Sequence, residues 1–539
     1  HNNTSVRTKT VSQMAQDSLS VKSSPKVDLQ HQFNRYFAKR WSTWALYVLV
    51  GLLPLVVGFS IAGYVTLVHF FPHLFPDSMN ISTIERNLQQ LATDGKMPNY
   101  INQAIPFFFL FITLEIIAGV ITGKRLYRLN DSVNSVFMGS IQLMLSVFIK
   151  SLAIFPYAYI HYNYRIFAFD ESVITITHPA WWAMFIVIDF GYYWFHRFSH
   201  EWNALWASHI VHHNSEEYNL STALRQGALQ PFTSWCWSLF GAPFFPVELL
   251  VVHSQINTLY QFWIHTRVIT KLPFGLEWIL NTPSHHRVHH GRNPQYCDRN
   301  YGGTLIIFDR IFGTFEPENQ EVLFGITHEV GTWNPLYCQL HHWQEIWQTC
   351  KKTEGFGNKL RVWLDRGPAY NYYVEHPEVF QQEAVKFDQY SHHLNEIPLA
   401  KIARPKYDSA MPNVAMSLYG FLHGAFLIVA TTLCVENTSA PKWKLALDSM
   451  VILFGMFSLS TLFDNKSYAK MLESVRLVLF VVYQFLMTMY TQHLGAEQAV
   501  DYVLKSPLLV PALVFLVGSL IAVQFAPTAS TDLQKKKHT

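Results

Sequence analysis

The stretch WWAMFIVIDFGYYWFHRFSH occupies residues 181–200 and determines more of the architecture than any other part of the chain. Residues 181–195 are apolar apart from Asp189, which is the pattern of a helix in a membrane. His196 and His200 follow directly, and residues four apart lie on the same face of an α-helix. The stretch therefore predicts a membrane helix that presents two imidazoles at the membrane surface, within reach of an acyl or alkyl chain.

Two more histidine clusters repeat this spacing. They are His209, His212 and His213, and then His286, His289 and His290. On helices each cluster aims two or three imidazoles at one point, which makes surface histidines grouped by chance the weaker interpretation. Eight ligands exceed the four of a structural zinc site, and the cysteines show no ligand spacing, so two metal ions fit better than one. Iron, zinc and copper all accept imidazole nitrogen, so the histidines leave the metal open.

A polar stripe runs along the apolar segment that precedes the third cluster. Asn257, Gln261 and His265 stand four residues apart and so share one helix face. Ionisable groups at membrane depth usually face a functional interior. We expect His265 to be a ninth ligand or to orient one, and a packing histidine is the alternative. Packing or surface roles are expected for His253, His285, His341, His342, His423 and His493.

The composition is that of a membrane protein, because apolar residues make up 50% of the chain and charged residues only 14%. The formal charge of +3 is too small and too dispersed to suggest a nucleic-acid partner. Most of the apolar runs reach the ~20 residues that a helix needs to cross a bilayer. They lie at residues 42–71, 104–122, 135–160, 179–195, 228–266, 413–434, 446–463, 475–492 and 506–526. The run 228–266 contains Pro243 and Pro246 and is about twice the required length, which predicts a two-helix hairpin. The expected fold class is all-α, a multi-pass transmembrane protein.

Basic residues beside the first two runs set the orientation, because they prefer the cytoplasmic side. They are Arg35, Lys39 and Arg40 before the first run, and Lys124, Arg125 and Arg128 after the second. This orientation places loop 76–103, with a glycosylation sequon at Asn80, in the lumen and all three histidine clusters in the cytoplasm. The end KKHT, residues 536–539, matches a dilysine signal for retrieval to the endoplasmic reticulum, and a positive membrane anchor is the alternative. We expect a protein of the endoplasmic reticulum membrane with a cytoplasmic metal site.

Composition shifts divide the chain into five expected regions. Residues 1–40 are polar and are expected to form a disordered cytoplasmic tail. Residues 41–335 would form the membrane-embedded catalytic domain, and 336–411 a cytoplasmic connecting region that caps the metal site. Residues 412–527 would form the C-terminal transmembrane helices, and 528–539 a second cytoplasmic tail.

The three clusters on a multi-span chain resemble the histidine boxes of the fatty acid hydroxylase superfamily. That superfamily consists of non-haem diiron membrane oxygenases and includes the sterol desaturases. The surrounding segments are similar to its pterin-dependent branch that acts on ether lipids, and the resemblance covers roughly residues 180–335. The matching segments are DFGYYWFHR (189–197), WASHIVHH (206–213), YNLSTALRQ (218–226), NTPSHHRVHHGRN (281–293), NYGG (300–303) and FDRIFGTF (308–315).

The resemblance implies a monooxygenase that uses tetrahydrobiopterin and hydroxylates the ether-linked carbon of 1-O-alkylglycerols. The resulting hemiacetal separates into a fatty aldehyde and a glycerol derivative. The resemblance also implies two iron ions, O2 and reduced pterin as co-substrates, and a membrane lipid substrate, an alkylglycerol or a lyso-alkylglycerophospholipid. The expected metal ligands are His196, His200, His209, His212, His213, His265, His286, His289 and His290.

A glutamate directly after the first box is tied to pterin use in the resembling branch, and that position is Glu201 here. The alternative is a helix-end carboxylate that hydrogen-bonds a ligand imidazole. Glu216 and Glu217 are rival carboxylates. Polar residues after the second box have two open interpretations, orienting the substrate's head group or stabilising their own loop. They are Asn219, Thr222 and Arg225.

Three other functions remain open at this point. A sterol or fatty-acid hydroxylase or desaturase would share every box but take its electrons from cytochrome b5. A membrane zinc hydrolase or metal transporter would use histidines too, but a hydrolytic site needs about three ligands and an open position. A catalytically inactive lipid-binding relative would have no reason to keep eight ligands in register.

Overall fold

The computed structural model describes residues 48–70, 81–167, 175–364, 404–407, 414–437, 439–506 and 509–524. The chain divides into two compact units, residues 1–53 and 54–539, and of the first only residues 48–53 are described. Among the described residues the secondary structure is helical without any β-strand, and one isolated bridge joins Leu280 and Leu305. The predicted all-α class is confirmed. The expected tails, 1–40 and 528–539, and the sequon residue Asn80 lie outside the described residues.

The described helices are numbered here in chain order. They are α1 Leu53–Phe70, preceded by a π-helical turn Val48–Leu52, α2 Ile81–Thr93, α3 Tyr100–Ile121, α4 Leu129–Tyr164, α5 Pro179–Glu201, α6 Asn203–His213, α7 Leu220–Ala223, α8 Val247–Ile264, α9 Pro283–His289, α10 Ile307–Phe312, α11 Pro335–Lys352, α12 Phe356–Leu364, α13 Val414–Glu436, α14 Lys442–Phe463, α15 Ala469–Gln492, α16 Ala496–Lys505 and α17 Leu509–Gln524.

Five helices of the described part are long and apolar enough to cross a membrane. They are α3, the segment Leu129–Ile149 of α4, α13, α14 and α15. Shorter apolar helical segments lie at Val50–Thr66 and Val514–Gln524. The prediction of a multi-pass membrane protein is therefore confirmed.

Helix α5 contains the stretch that predicts a membrane helix, and the stretch is helical. His178 caps its first turn, where Pro179 is favoured because its ring suits the first helical position. The helix is long enough to cross a bilayer but not apolar enough to be among the five candidate spans, and many of its side chains are buried. At Gly191 an added Cβ would lie only 2.7 Å from the carbonyl oxygen of Trp237, so α5 packs unusually close to the segment that follows the second cluster.

The prediction of a two-helix hairpin at residues 228–266 is wrong. Its first half forms two 3-10 segments, Gln230–Phe232 and Ser234–Gly241, and only the second half forms a long helix, α8. Pro231, Pro243 and Pro246 each remove a backbone donor, which prevents a continuous α-helix over this half. This half packs against α5, so the apolar run reflects burial in protein rather than two membrane crossings.

The C-terminal helices share one hydrophobic core with the helices near the metal site. Phe137 of α4, Ile210 of α6, Leu427 of α13 and Leu459 of α14 belong to the same buried cluster. Inside this bundle lies a polar network around the ion pair of Glu473 and Arg476, both on α15 and at most 2% exposed. Its other members are Tyr419 and His423 of α13, Ser458 of α14 and Ser519 of α17.

Helices α11 and α12 form most of the described part of the connecting region and pack on α6. Ala207 of α6, Ile346 of α11 and Val362 of α12 make a small buried cluster. At the start of α6, Asn203 donates to the carbonyl of Val362 at 2.8 Å and lies 2.7 Å from Nε2 of His342. This contact positions α6, which carries three of the cluster histidines.

Candidate metal centre

The structure brings all nine expected ligands into one buried region. Helix α5 ends with the first cluster, α6 ends with the second, the residue after α8 is His265, and α9 carries the third. Every one of these side chains is between 1 and 6% exposed. They form two groups, and within each group all ligand atoms lie within 4.8 Å of one another. The first is His196, His200, His209, His213 and His289; the second is His212, His265, His286 and His290.

Backbone carbonyls determine which ring nitrogen faces each group. Nδ1 of His212 lies 2.7 Å from the carbonyl of Arg225, and Nδ1 of His265 lies 2.7 Å from that of Gln261. His196 and His289 make the same contact, with the carbonyls of Tyr301 and Arg299. A carbonyl only accepts, so each Nδ1 carries the proton and each Nε2 of the neutral ring offers a lone pair to its group.

The distances between Nε2 atoms fit a cation and do not fit hydrogen bonds. Nε2 of His212 and Nε2 of His265 are 3.2 Å apart, and both are proton-free by the argument above. Two facing lone pairs repel unless a positive ion lies beside them. Nitrogens bound to one ion at about 2.1 Å, with about 90° between the bonds, are about 3 Å apart. Similar separations of 3.0–3.2 Å join His196 to His209, His209 to His213, His213 to His289, and His265 to His286.

Several buried ring nitrogens have no hydrogen-bond partner in the described structure. Among the nine expected ligands they are Nε2 of His200, Nε2 of His290 and Nδ1 of His286, and some rings outside the two groups, such as His253, have them too. A buried polar atom without a partner is costly and normally has an explanation in an ion or a ligand. Nε2 of His200 and Nε2 of His290 belong to rings of the two groups, and a bound metal would account for them.

Burial keeps these rings neutral. The pKa of His209 is lowered to about 3, first because the ring is desolvated and second because His200 is close. Burial, followed by neighbouring imidazoles, lowers the pKa well below its ordinary value in His212, His213, His286, His289 and His290. Neutral imidazole is the form that binds metal, so the site is prepared for an ion at neutral pH.

Two buried carboxylates that the sequence analysis did not identify hold the loops around the groups. Asp309 of α10 accepts from the backbone N–H groups of Tyr301 and Gly302, each at 2.7 Å. This fixes the Tyr301 carbonyl against His196. Burial raises the pKa of Asp309 to about 6. Asp189 of α5 accepts from the side-chain amide of Asn257 at 2.7 Å, so the polar stripe joins α8 to α5.

His265 is also held in place through Thr266, the residue that follows it. The hydroxyl of Thr266 donates a hydrogen bond to the carboxylate of Glu115 in the candidate membrane span α3. Arg287 of α9 donates to the carbonyl of Thr266 at 2.9 Å and forms an ion pair with Glu318 at 2.7 Å. His265 therefore lies in the second group, whereas none of the six histidines expected to pack or lie at the surface belongs to either group.

Glu201, the last residue of α5, is 5% exposed, and Nε of Arg197 lies 3.3 Å from its carboxylate. The rival carboxylates form ion pairs away from the two groups. Glu217 pairs with Arg128, Lys406 and Arg267, and Glu216 pairs with Arg128 and Arg404. These pairs tie the loop after α6 to the start of α4 and to residues 404–407.

The polar residues after the second box stabilise their own loop. Asn219 and Thr222 form a capping box on α7, and Nδ2 of Asn219 donates to the Leu126 carbonyl. Arg225 donates to Asn134 at 2.7 Å and to the carbonyl of Val211 at 2.9 Å. Because these donors have protein partners, the structure favours the loop-stabilising interpretation over head-group recognition.

Comparison with known proteins agrees with this geometry. The sequence profile of the fatty acid hydroxylase family matches residues 181–314, the part that contains all nine histidines. The fold and this match thus identify a membrane protein with a fatty acid hydroxylase domain. No solved structure matches the chain.

Curated relatives narrow this class. Alkylglycerol monooxygenase of Homo sapiens is 40% identical over 406 residues, which cover 75% of this chain and 86% of the relative. The proteins of that name from Xenopus tropicalis and Danio rerio are 38% and 39% identical, over 76% and 72% of this chain and 85% and 83% of the relatives. The chain belongs to the alkylglycerol monooxygenase family, and the resemblance noted from its motifs is confirmed.

Proposed function

We propose that this protein is a tetrahydrobiopterin-dependent diiron monooxygenase that cleaves the O-alkyl ether bond of 1-O-alkylglycerols. The products are a fatty aldehyde and a glycerol derivative. The observation that carries the proposal is the pair of adjoining groups of buried imidazoles, five in one and four in the other, within a membrane protein of this family. Nine ligands in two groups suit two ions better than the single ion of a hydrolase.

The five histidines of the first group would hold one iron, and the four of the second would hold the other. When bound, the irons supply the redox chemistry that attacks an unactivated C–H bond beside an ether oxygen, which acid–base groups cannot do. Nδ1 contacts with backbone carbonyls keep each Nε2 free for the ion. Burial of the rings excludes water, and Asp309 keeps the Tyr301 loop in place.

The overall reaction places one oxygen atom of O2 on the ether-linked carbon and reduces the other to water. This consumes two electrons and two protons, which the reduced pterin is proposed to supply from the cytoplasmic side. The hydroxylated carbon is a hemiacetal, which breaks its C–O bond to glycerol and leaves as an aldehyde. The alkyl chain of the substrate would lie along the apolar helices in the membrane.

Glu201 is the proposed pterin contact. Its buried carboxylate directly follows the ligand His200 at the end of α5, so a cofactor at this carboxylate would lie beside the first group. Nε of Arg197 lies 3.3 Å from the carboxylate and fixes its position at the end of α5. In Glu201→Gln the KM for tetrahydrobiopterin should rise more than the KM for the lipid.

The charge pattern supports a cytoplasmic metal site, in a protein that is proposed to lie in the endoplasmic reticulum membrane. The loop of Lys124, Arg125 and Arg128 connects α3 to α4 and contacts the segment after α6. Cytoplasmic basic residues and the histidine groups are therefore proposed to lie on one side of the membrane. Protease protection of tagged loops in sealed microsomes would test this topology.

The deciding experiment uses the purified, iron-loaded protein with a 1-O-alkylglycerol and O2, with fatty aldehyde as the readout. Aldehyde should form with tetrahydrobiopterin, should not form with reduced cytochrome b5 in its place, and should be lost in His212→Ala. His493→Ala is the matched control, because this exposed histidine lies outside both groups. Turnover of a sterol or fatty acid with cytochrome b5, and no aldehyde with pterin, would instead establish the sterol or fatty-acid hydroxylase alternative.

A further inference from the structure

Helix α11 carries large apolar side chains on a face that the described part of the chain leaves mostly uncovered. Leu336, Leu340, Trp343 and Trp347 are spaced by four, three and four residues, so they form one stripe along the helix. Leu340 is 48% exposed and Trp347 is 55% exposed. A neighbouring side of α11, with Cys338, His342 and Ile346, is buried, and Ile346 packs on Ala207 of α6. Polar residues such as Gln344 and Gln348 occupy the remaining face.

Helix α12 continues this stripe. Phe356, Leu360 and Trp363 share one helix face, and Phe356 is 84% exposed. The rings of Trp343 and Trp363 have centroids 6.2 Å apart, so the two faces join. The docking stripe is defined as Leu336, Leu340, Trp343, Trp347, Phe356, Leu360 and Trp363. Of these, Trp343 and Trp363 are only partly exposed, because they also pack against the buried cluster of Ala207, Ile346 and Val362. A contiguous exposed apolar surface of this kind marks a site of interaction with a protein or a membrane.

The position of α11 in the fold favours the membrane. Asp464 lies in the turn between the candidate spans α14 and α15. Its carboxylate accepts from the backbone N–H of Trp333 at 2.8 Å and from the hydroxyl of Thr332. Helix α11 begins two residues after Trp333. Because membrane spans end at the bilayer boundary, the first turn of α11 lies at that boundary too.

The charges beside the stripe complement an anionic bilayer surface. Residues 335–364 contain four basic residues, Lys351, Lys352, Lys359 and Arg361, against two acidic ones, Glu345 and Glu354. Glu345 is already paired with His342 at 3.0 Å. Nζ of Lys351 lies 5.2 Å from the ring centroid of Trp347. Tryptophan with lysine on the neighbouring face is the arrangement of helices that lie in the membrane interface.

We propose that α11 and α12 dock on the surface of the bilayer, with the docking stripe among the upper acyl chains and the lysines at anionic phospholipid head groups. The occupant of this face is lipid, and not a second copy of the chain or another segment of it. The bilayer then acts on α6 through the cluster of Ala207, Ile346 and Val362 and through the contact of His342 with Asn203. Docking on lipid thereby positions the helix that carries three histidines of the metal centre.

The test places a nitroxide on single cysteines of the full-length protein in lipid nanodiscs. Cys297→Ser and Cys350→Ser first remove the two cysteines that are not buried. Labels at Leu340→Cys and Phe356→Cys report on the docking stripe, and labels at Gln344→Cys and Gln348→Cys on the polar face of α11 are matched controls. The measurement is the ratio of the collision rates with O2, which dissolves in lipid, and with a water-soluble nickel chelate.

At the stripe positions O2 collisions should exceed nickel collisions, and at the control positions the order should be reversed. Equal nickel access at stripe and control positions would place the stripe in water and overturn the proposal. Low access to both reagents at the stripe alone would show a protein occupant and would overturn it as well. Neither readout depends on activity or on the proposed cofactors.

A second comparison tests the charge argument. Nanodiscs of neutral phospholipid are compared with nanodiscs that also contain an anionic phospholipid. The O2-to-nickel ratio at Leu340→Cys should be higher with the anionic lipid. Replacing Lys351, Lys352 and Lys359 together by Gln should abolish that difference. A ratio that responds to anionic lipid to the same extent without the lysines would contradict their assignment to the head groups.

Discussion

Removing the carboxylate of Glu473 should destabilise the protein strongly. This carboxylate accepts from Tyr419 at 2.6 Å, from Ser458 at 2.7 Å and from Nε of Arg476 at 2.9 Å. Arg476 in turn donates to His423 at 3.0 Å. In Glu473→Ala the guanidinium would remain charged and buried, at 2% exposure, without its counter-ion. Breaking a buried pair on one side costs about 3–5 kcal/mol.

The assay is thermal unfolding in detergent. Large proteins lose about 2 °C of Tm per kcal/mol, so Glu473→Ala should lower Tm by about 6–10 °C. The double variant Glu473→Leu, Arg476→Met should recover much of this loss, because apolar side chains of similar size often replace a buried pair at little cost.

The control is Asp501→Ala, which breaks the pair with Lys505. That pair also has a 2.7 Å contact, but its side chains are 62% and 75% exposed. Exposed pairs contribute about 0–1 kcal/mol, so Tm should barely change. If Glu473→Ala and Asp501→Ala had the same Tm, or if the double variant were less stable than Glu473→Ala, the reasoning from burial would be refuted.

Three further outcomes follow from the metal centre. His265→Ala should lower the metal content of the purified protein, measured by elemental analysis, while His493→Ala should leave it unchanged. The same metal content in both variants would show that His265 is not a ligand. Asp309→Ala should weaken metal affinity or activity by about 10–100-fold, because such supporting hydrogen bonds have effects of that size, and a metal titration that matches the unmodified protein would contradict this. The metal-free protein should lose stability as pH falls from about 6.5 toward 3. In this range the histidines of the unfolded chain bind protons, whereas buried rings such as His209, with a pKa of about 3, stay unprotonated in the folded protein. Unfolding temperatures that stay constant across this range would contradict the role of burial.

The candidate ligands could be identified from sequence because their spacing is a local property. Histidines three and four residues apart share a helix face wherever the helix lies. His265 was harder to place, since only its polar stripe pointed to it. The supporting carboxylates Asp189 and Asp309 show no such spacing, because the segments they hold together are distant in the chain. Asp189 accepts from backbone groups more than 100 residues away, and Asp309 holds the loop of Tyr301, whose carbonyl contacts the distant His196.

The wrong hairpin has a different physical cause. Hydropathy measures how well a segment tolerates an apolar environment, and a protein interior and a lipid bilayer are equally apolar. Residues 228–246 are apolar because they pack against α5, and their prolines direct them into 3-10 turns. Hydropathy alone does not distinguish these two kinds of burial.

By itself the sequence determined the helical membrane class, the nine histidines and the family, because these depend on composition, short-range spacing and motifs. The tertiary structure alone decided how the nine divide. His212 and His213 are neighbours in the chain, yet they belong to different groups, because adjacent residues on α6 point in directions about 100° apart. Packing between distant segments then gives each ring its own partners. His212 is grouped with His265, the residue after α8, and His213 is grouped with His196 of α5.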